Sequence, residues 1–301
     1  MELSSLRLFT AVAEQGGVTR AAQALHCVQS NVSARLRQLE DELGTALFHR
    51  DRRQMIMTPA GRELLGYARR LTALADEARE AVRGAAPSGQ LRLGSMETTA
   101  AIRLPLPLAD YHRRYPAVHL SLETGPTRTL IDQVCDYRLD AAFIAGPVSD
   151  PQLDGCRLWR EELVLVTEAG HAPVGQAADL PAPTLLAFRS GCAYRERLEH
   201  WCRTEGVFPA AILEFGSFQA ILGCAAAGMG IALLPKTVVD AQRDMHLPLA
   251  LHRLPSAVAD AETWLVWRRD RAPRALLALV ELLGFSPSVD QHAARDAAAP
   301  C

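Results

Sequence analysis

The stretch Thr19–Thr58, TRAAQALHCVQSNVSARLRQLEDELGTALFHRDRRQMIMT, decides the fold of the amino-terminal part. Within it Val32, Leu36, Leu39 and Leu43 recur at steps of four, three and four. At about 100° per residue these four share one helical face. The opposite face carries Ser30, Asn31, Ala34, Arg37 and Gln38, with Gln29 ahead of it and Ser33 and Arg35 on its flanks. Carboxylates enter only toward the far end, at Glu40, Asp41 and Glu42. Ser30 is the predicted N-cap, its hydroxyl accepting from an orphan backbone N–H, and Gly44 is the predicted stop. A helix that enters a major groove needs this layout. Short amide, hydroxyl and guanidinium groups pair with base edges, whereas carboxylates near phosphates repel.

Working outward, Ala21, Ala22 and Leu25 give a preceding helix a small apolar face; Thr19 is its predicted cap and His26-Cys27-Val28 the turn between the two helices. Leu6, Phe9, Val12 and Ala13 form one face of a first helix that ends at Gly16-Gly17 and closes a core with Leu25, Val32 and Leu36. Beyond Gly44 the apolar runs Ala46–Phe48 and Met55–Met57 bracket His49-Arg50-Asp51-Arg52-Arg53. This reads as a hairpin, or wing, whose Arg50, Arg52 and Arg53 suit phosphate contacts. Each feature alone also fits a small helical packing unit with a solvated charged loop. Their order and spacing together favour a DNA-reading unit.

Three stretches carry a family resemblance: Leu6–Leu25 (LRLFTAVAEQGGVTRAAQAL), Gln29–Arg50 (QSNVSARLRQLEDELGTALFHR) and Met57–Leu65 (MTPAGRELL). Together they resemble the DNA-binding end of the LysR-type transcriptional regulators. One departure is Ala34, where many members carry Arg; here Arg35 follows immediately. The resemblance implies a winged helix-turn-helix domain over 1–58, promoter DNA as the double-stranded partner, and a homo-oligomer, often a tetramer built from dimers. RNA polymerase is a candidate further partner.

Pro59 opens the next helix, where a missing N–H is tolerated. Leu64, Ala68, Leu71, Ala75, Ala78 and Val82 then recur at alternating steps of four and three, a heptad seam over a linker helix of 59–83. One reading packs this helix on its own domain. The other, which the resemblance also implies, makes it a dimer contact that sets the spacing of two reading helices. Gly84–Gly89 is a predicted hinge, 90–285 a regulatory domain and 286–301 a loose tail.

From Gln90 onward apolar strands alternate with helices: Leu91–Gly94, Val118–Leu122, Ala141–Ile144, Leu158–Thr167, Leu185–Phe188, Leu213–Phe215, Ile231–Leu234 and Trp264–Trp267. Such alternation predicts mostly parallel sheets flanked by helices, and the length suits two lobes. Gly146–Asp150 (GPVSD), Arg160–Pro173 (REELVLVTEAGHAP) and Gly228–Pro235 (GMGIALLP) resemble the LysR effector-binding domain. That resemblance implies a periplasmic-binding-protein-like pair of α/β lobes, joined by two crossing strands, around a small-molecule cleft. The expected lobes are about 90–161 with 268–285, and about 162–267. The fold class is thus α/β, with an α-rich winged helix-turn-helix in front.

Ligands in such sheets sit outside the carboxyl ends of the strands. The candidate ends are Ser95–Thr99, Ala145–Pro147, Arg189–Arg195 and Gly216–Phe218; from them Ser95, Glu97, Thr98, Thr99, Gly146, Ser190, Cys192, Arg195 and Ser217 are the candidate effector contacts. Thr98, Thr99, Ser190 and Ser217 equally suit helix capping, and Arg195 a surface salt bridge. Glu97 would repel an anion; it suits a ligand amine, or simply stabilises a helix start. A ligand with both amine and carboxylate would suit Glu97 and Arg195 together. An amino acid or a carboxylate is therefore the expected class of effector.

Composition limits the alternatives. A net charge of −2 places any DNA-directed positive charge locally, in the wing and reading helix. No long uncharged apolar run and no basic-then-apolar leader is present, so the expectation is a cytoplasmic chain without a membrane span. Seven cysteines without a C-x-x-C pair fit a reducing compartment; a redox-sensing pair is the alternative. His112, His119, His171, His200, His246, His252 and His292 form no H-x-x-x-H pair, and no G-x-S-x-G occurs. The expectation is no metal, no cofactor and no catalytic residue. A transport-type solute-binding protein and an enzyme fused to a DNA-binding module are the rival classes.

Overall fold

A computed structural model describes residues 1–51, 54–83, 86–242 and 246–285. The chain divides into two compact units, one built on the segment ending at Ala85 and one on the segment beginning at Ala86.

The first unit consists of α1 (Leu3–Gln15), α2 (Val18–Ala24), α3 (Gln29–Leu43), the strands β1 (Phe48–Asp51) and β2 (Gln54–Met57), and α4 (Pro59–Arg83). Its core joins Leu6, Phe9 and Val12 of α1 to Ala21 and Ala22 of α2 and to Val32, Leu36 and Leu39 of α3, with Leu47 and Phe48 below. Burying each large apolar side chain contributes about 1.5–3 kcal/mol, so this small cluster is what holds three short helices together. α3 ends at Gly44, whose left-handed backbone (φ 66°) lets Thr45 and Gly44 return N–H groups to Glu40 and Asp41.

Both predicted N-caps are displaced. α3 starts at Gln29 with Val28 as N-cap, and α2 starts at Val18 with Gly17 as N-cap; neither has a side-chain cap, so Ser30 and Thr19 lie inside first turns. Leu25 and Leu43 are exposed at 40% and 39%, because each sits where its helix runs out beyond the small core. The wing is tighter than expected. His49 and Arg50 are in β1, paired with Ile56 and Met55, so the strands approach within one register step of the tip. Arg52 and Arg53 lie outside the described residues.

α4 is clamped to α1 by Arg7–Asp76 and by Arg69–Glu14 at 3.1 Å. Its predicted seam divides in two. Leu64 and Ala68 pack into the unit's own core, where Ala68 is 0% exposed; Leu71 and Val82 are exposed, Val82 at 88%. The early turns of the helix are therefore spent on intradomain packing, and only the later part of the seam faces outward. Leu65, off the predicted seam, is buried with Ala68.

The second unit has two lobes. In the first, β3 (Gly89–Ser95) pairs parallel with β4 (Val118–Thr124) and β5 (Ala141–Gly146). Helices α5 (Glu97–Ile102), α6 (Pro105–Arg114) and α7 (Thr127–Cys135) connect them. The chain then crosses on the long β6 (Leu153–Glu168) to β7 (Thr184–Phe188), α8 (Ala193–Thr204), β8 (Ala211–Phe215), α9 (Phe218–Ala226), β9 (Ala232–Pro235), α10 (Lys236–Asp240) and β10 (Leu249–Arg253). After α11 (Ser256–Ala259) it returns on β11 (Asp260–Arg268) to α12 (Arg274–Leu282).

β6 explains how two lobes share one sheet. Its first part pairs antiparallel with β11, and its second part with β9 and β10. Leu163 and Leu165 enter the core under α8 with Leu198 and Trp201; Val164 and Val166 enter the opposite core under α9 with Phe218, Ile221 and Leu222. A strand buried on both faces reads as a continuous apolar run, which is why this half was legible. The half around Asp154, Gly155 and Arg157 is partly exposed and was not.

The parallel expectation thus holds for β3–β4–β5 and β7–β8, while the two crossing strands are antiparallel to their neighbours. The return into the first lobe comes earlier than the expected boundary at 268, since Glu262–Trp267 already pair with β5. β10, α10 and α11 were not anticipated; they are short and lack a clear period.

Candidate functional site

Two surfaces deserve construction from their residues. On α3 the side chains segregate by helical period. Val32, Leu36 and Leu39 are buried; Gln29, Ser30, Asn31, Ala34, Arg37 and Gln38 are exposed; Ser33 and Arg35 are half-buried. Arg35 donates to Ser4 Oγ at 2.9 Å and lies 3.9 Å from Glu2, so it is tied to the start of α1. Thr19 is exposed in α2.

The wing is anchored by residues whose role was not foreseen. Glu40 Oε1 accepts from the N–H groups of Leu47 (2.8 Å) and Phe48 (3.3 Å), fixing the exit from α3. The Thr58 hydroxyl donates to the Ala46 carbonyl at 2.7 Å and accepts from the Gly61 N–H at 3.0 Å, joining the wing to the start of α4. A carboxylate or hydroxyl that satisfies otherwise orphaned backbone groups fixes a loop without belonging to any apolar period.

The second surface is a cavity of about 290 Å³ between the lobes. Strand ends supply its walls: Met96, Glu97 and Thr98 after β3, Thr124–Thr127 after β4, Phe188, Arg189, Cys192 and Tyr194 after β7, and Phe215 and Gly216 after β8. Met96 leaves its own lobe to pack in the core of the other, with Leu185, Tyr194 and Leu198. Thr98 is buried and hydrogen-bonded to Tyr194. Burial raises the pKa of Glu97 while the Phe218 backbone N–H acts the other way; its Oε2 is buried without a hydrogen-bond partner. Burial likewise pushes the Cys192 thiol up, so it contributes apolar wall rather than a reactive thiolate. Arg189 is exposed, with no side-chain partner among the described residues.

At the rim, the Arg128 N–H at the start of α7 donates across the cleft to the Gly191 carbonyl at 3.4 Å. Gly191 has φ 86°, and a Cβ there would lie 3.4 Å from Arg128 Cβ. Behind the cavity, buried Glu161 in β6 accepts from Arg103 Nε (3.0 Å) and Nη2 (3.1 Å) and from the Thr237 hydroxyl (3.1 Å), tying α5 and α10 to the crossing strand.

Comparison with known proteins gives the family of both parts of the chain. Residues 3–62 match the model of the bacterial regulatory helix-turn-helix proteins of the lysR family, and residues 84–285 match the LysR substrate binding domain. The chain belongs to the LysR family. It is 41% identical over 271 residues to the HTH-type transcriptional regulator GltR of Bacillus subtilis, covering 90% of this chain and 91% of that one. It is 44% identical to the uncharacterised regulator YusT of the same organism, covering 90% of each. A full-length OxyR variant from Pseudomonas aeruginosa shares the fold at 24% identity, with a TM-score of 0.74 over 95% of this chain and 96% of that one.

The chain is therefore a LysR-type DNA-binding transcriptional regulator with an effector-binding domain. Within this LysR-type chain the effector contacts expected from sequence separate. Glu97, Thr98 and Cys192 line the cavity. Ser95 is fully buried and donates to the Met96 carbonyl, and Thr99 is buried away from the cavity. Ser190 is exposed beside the cavity and does not line it, and Ser217 caps α9 by accepting from the Ala220 N–H. Gly146 lies against the Trp264 indole and lines a different hollow, of about 310 Å³, with Glu196, Arg197 and His200.

Arg195 is spoken for. It pairs with Glu199 at 2.6 Å and Glu214 at 2.5 Å, and these two hydrogen bonds raise its pKa. The pairing of Glu97 with Arg195 around a ligand is thus replaced, and the cation on the cavity wall is Arg189. Thr124–Thr127 were missed because the strand-end rule was not carried to β4; applied there, it selects them.

Proposed function

We propose that α3 reads base edges in the major groove through Gln29, Ser30, Asn31, Ser33, Ala34, Arg37 and Gln38, while β1 and β2 lie along the phosphates and bring Arg50, Arg52 and Arg53 to them. The observation that carries this reading is the clean division of α3 into a buried apolar face and an exposed polar face without carboxylates in its first half. Arg35 acts at the edge of that face, held by Ser4. Two copies associate through the outward part of α4, at Leu71, Ala75, Ala78 and Val82, and pairs of dimers assemble into a tetramer. Ala68, fully buried, and Leu64, half-buried against the same core, are left out of this proposed contact.

A small molecule in the cavity between the lobes sets the DNA-bound state. It does so by binding one arrangement of the lobes more tightly than another. A chromosomal target places the protein in the cytoplasm, and its function is regulation rather than turnover, as the names of its relatives support. The test is footprinting of the purified protein on the DNA upstream of its own gene, with and without candidate metabolites. Protection of two half-sites about one or more helical turns apart, altered by a metabolite, is the expected result. Equal affinity for that fragment and for random duplex at moderate ionic strength rejects it.

A further inference from the structure

The cavity carries charges that its own fold does not neutralise. On the first lobe, Glu97 presents a carboxylate whose Oε2 is buried without a partner. On the second, Arg189 lines the cavity and its side chain has no partner among the described residues. Between them the walls are largely apolar: Met96, Pro126, Phe188, Tyr194 and Phe215. Of the other arginines near the lobe junction, Arg195 is occupied by Glu199 and Glu214 and Arg103 by Glu161.

Buried polar atoms are normally hydrogen-bonded, and an orphan at a cavity wall points to a group supplied from outside. A carboxylate oxygen accepts only, so that group is an N–H or O–H donor, and a cationic donor makes the stronger bond. A plain carboxylate in this space would face Glu97 as a like charge. A plain amine would leave Arg189 unmatched. The volume, about 290 Å³, lies at the small end of ligand clefts, about 300–1,000 Å³.

We propose that the effector is a small zwitterion of the amino-acid type, its ammonium on Glu97, its carboxylate on Arg189 and an apolar body against Met96, Phe188, Tyr194 and Phe215. This rests on the reading of the cleft as the effector site and names the chemistry it selects.

Isothermal titration of the full-length protein with matched triplets tests it. Phenylalanine, 3-phenylpropionate and phenethylamine form one triplet; leucine, 4-methylpentanoate and isopentylamine form another, and the remaining amino acids complete the panel. One amino acid should bind at least tenfold tighter than its deaminated and decarboxylated counterparts. Glu97→Gln should weaken that amino acid about tenfold and bring the deaminated acid level with it. Arg189→Gln should weaken both acids and leave the amine unchanged. A retained cooperative thermal unfolding transition of the effector-binding domain reports that each variant is folded. If the deaminated acid matches the amino acid in the parent protein, or Glu97→Gln leaves the preference intact, the zwitterion is overturned while the cleft stands as a binding site. If no member of the panel binds to protein whose effector-binding domain is folded by the same measure, the zwitterion falls; the cleft reading falls only if footprinting also shows no response to any metabolite.

Discussion

The DNA-reading helix and the ligand cleft are built on opposite plans. α3 draws its buried and exposed faces from fifteen consecutive residues, and each face follows from the helical period alone. The cavity draws its walls from segments near 96, 125, 190 and 215, brought together only when two sheets are assembled. A local element tolerates change at its exposed positions because its scaffold lies on the other face. In the cleft, scaffold and contact are the same backbone. Glu97 opens α5, Cys192 caps α8, and Gly191 both turns the chain and meets the opposite lobe.

That contrast can be broken experimentally. The largest effect is expected from Leu36→Ala, which empties a fully buried position of the first core. It should cost about 2–5 kcal/mol in the unfolding of the first unit and abolish specific DNA binding. Effector affinity should persist, as measured by denaturant titration and calorimetry on one preparation. Loss of effector binding alongside would mean the two plans are not independent.

Gly191→Ala comes next. A side chain at φ 86° is strained whatever the space, at a cost of about 1–3 kcal/mol, although its Cβ would meet Arg128 and Pro126 only at ordinary contact distance. Thermal unfolding should show a lower melting temperature, and the effector should bind more weakly. DNA affinity without effector should be unchanged. A variant that binds effector as well as the parent would show that closure of the rim is dispensable.

Within the first unit, Asn31→Ala and Arg52→Ala should separate reading from gripping. Loss of an amide that reads a base removes about 1–3 kcal/mol of discrimination at one position of the site. Arg52→Ala should weaken all sequences alike and lower the salt slope by about one. Binding-site selection with each variant distinguishes them, and a uniform loss for Asn31→Ala would show that another face of α3 does the reading.

The smallest effect is a gain. Burial raises the Glu97 pKa above its ordinary 4.5, so the folded chain holds that proton more tightly than the unfolded chain. The contribution of this group is complete below about 4.5 and is lost as pH rises through the folded value. At neutral pH the ionised, half-buried carboxylate is a burden on the ligand-free protein. Glu97→Gln should then raise the melting temperature by about 1–3 °C at pH 7, and by less toward pH 5. A lower melting temperature at pH 7 would assign Glu97 a structural partner instead.

Where sequence reading went astray, it did so for physical reasons. Ser30 and Thr19 have the right chemistry for caps, but the turns around Val28 and Gly17 start their helices two residues early. Leu64 and Ala68 keep a heptad spacing that says nothing about which neighbour they meet; α1 met them first. Arg195 sits in a stretch that does border the cleft, yet Glu199 one turn along and Glu214 on β8 claim it. Gly146 ends a strand as expected, and the Trp264 indole covers it.

The amino-terminal helices, their order, their polar face and the family itself follow from residues read along the chain, because helical period and short-range spacing are local properties. The run Leu163–Val166 announces a doubly buried strand for the same reason. Which carboxylate is left without a partner, which arginine remains for a ligand and which part of α4 faces outward are settled only by packing. Those outcomes depend on competition among residues far apart in sequence, and no window along the chain contains both competitors.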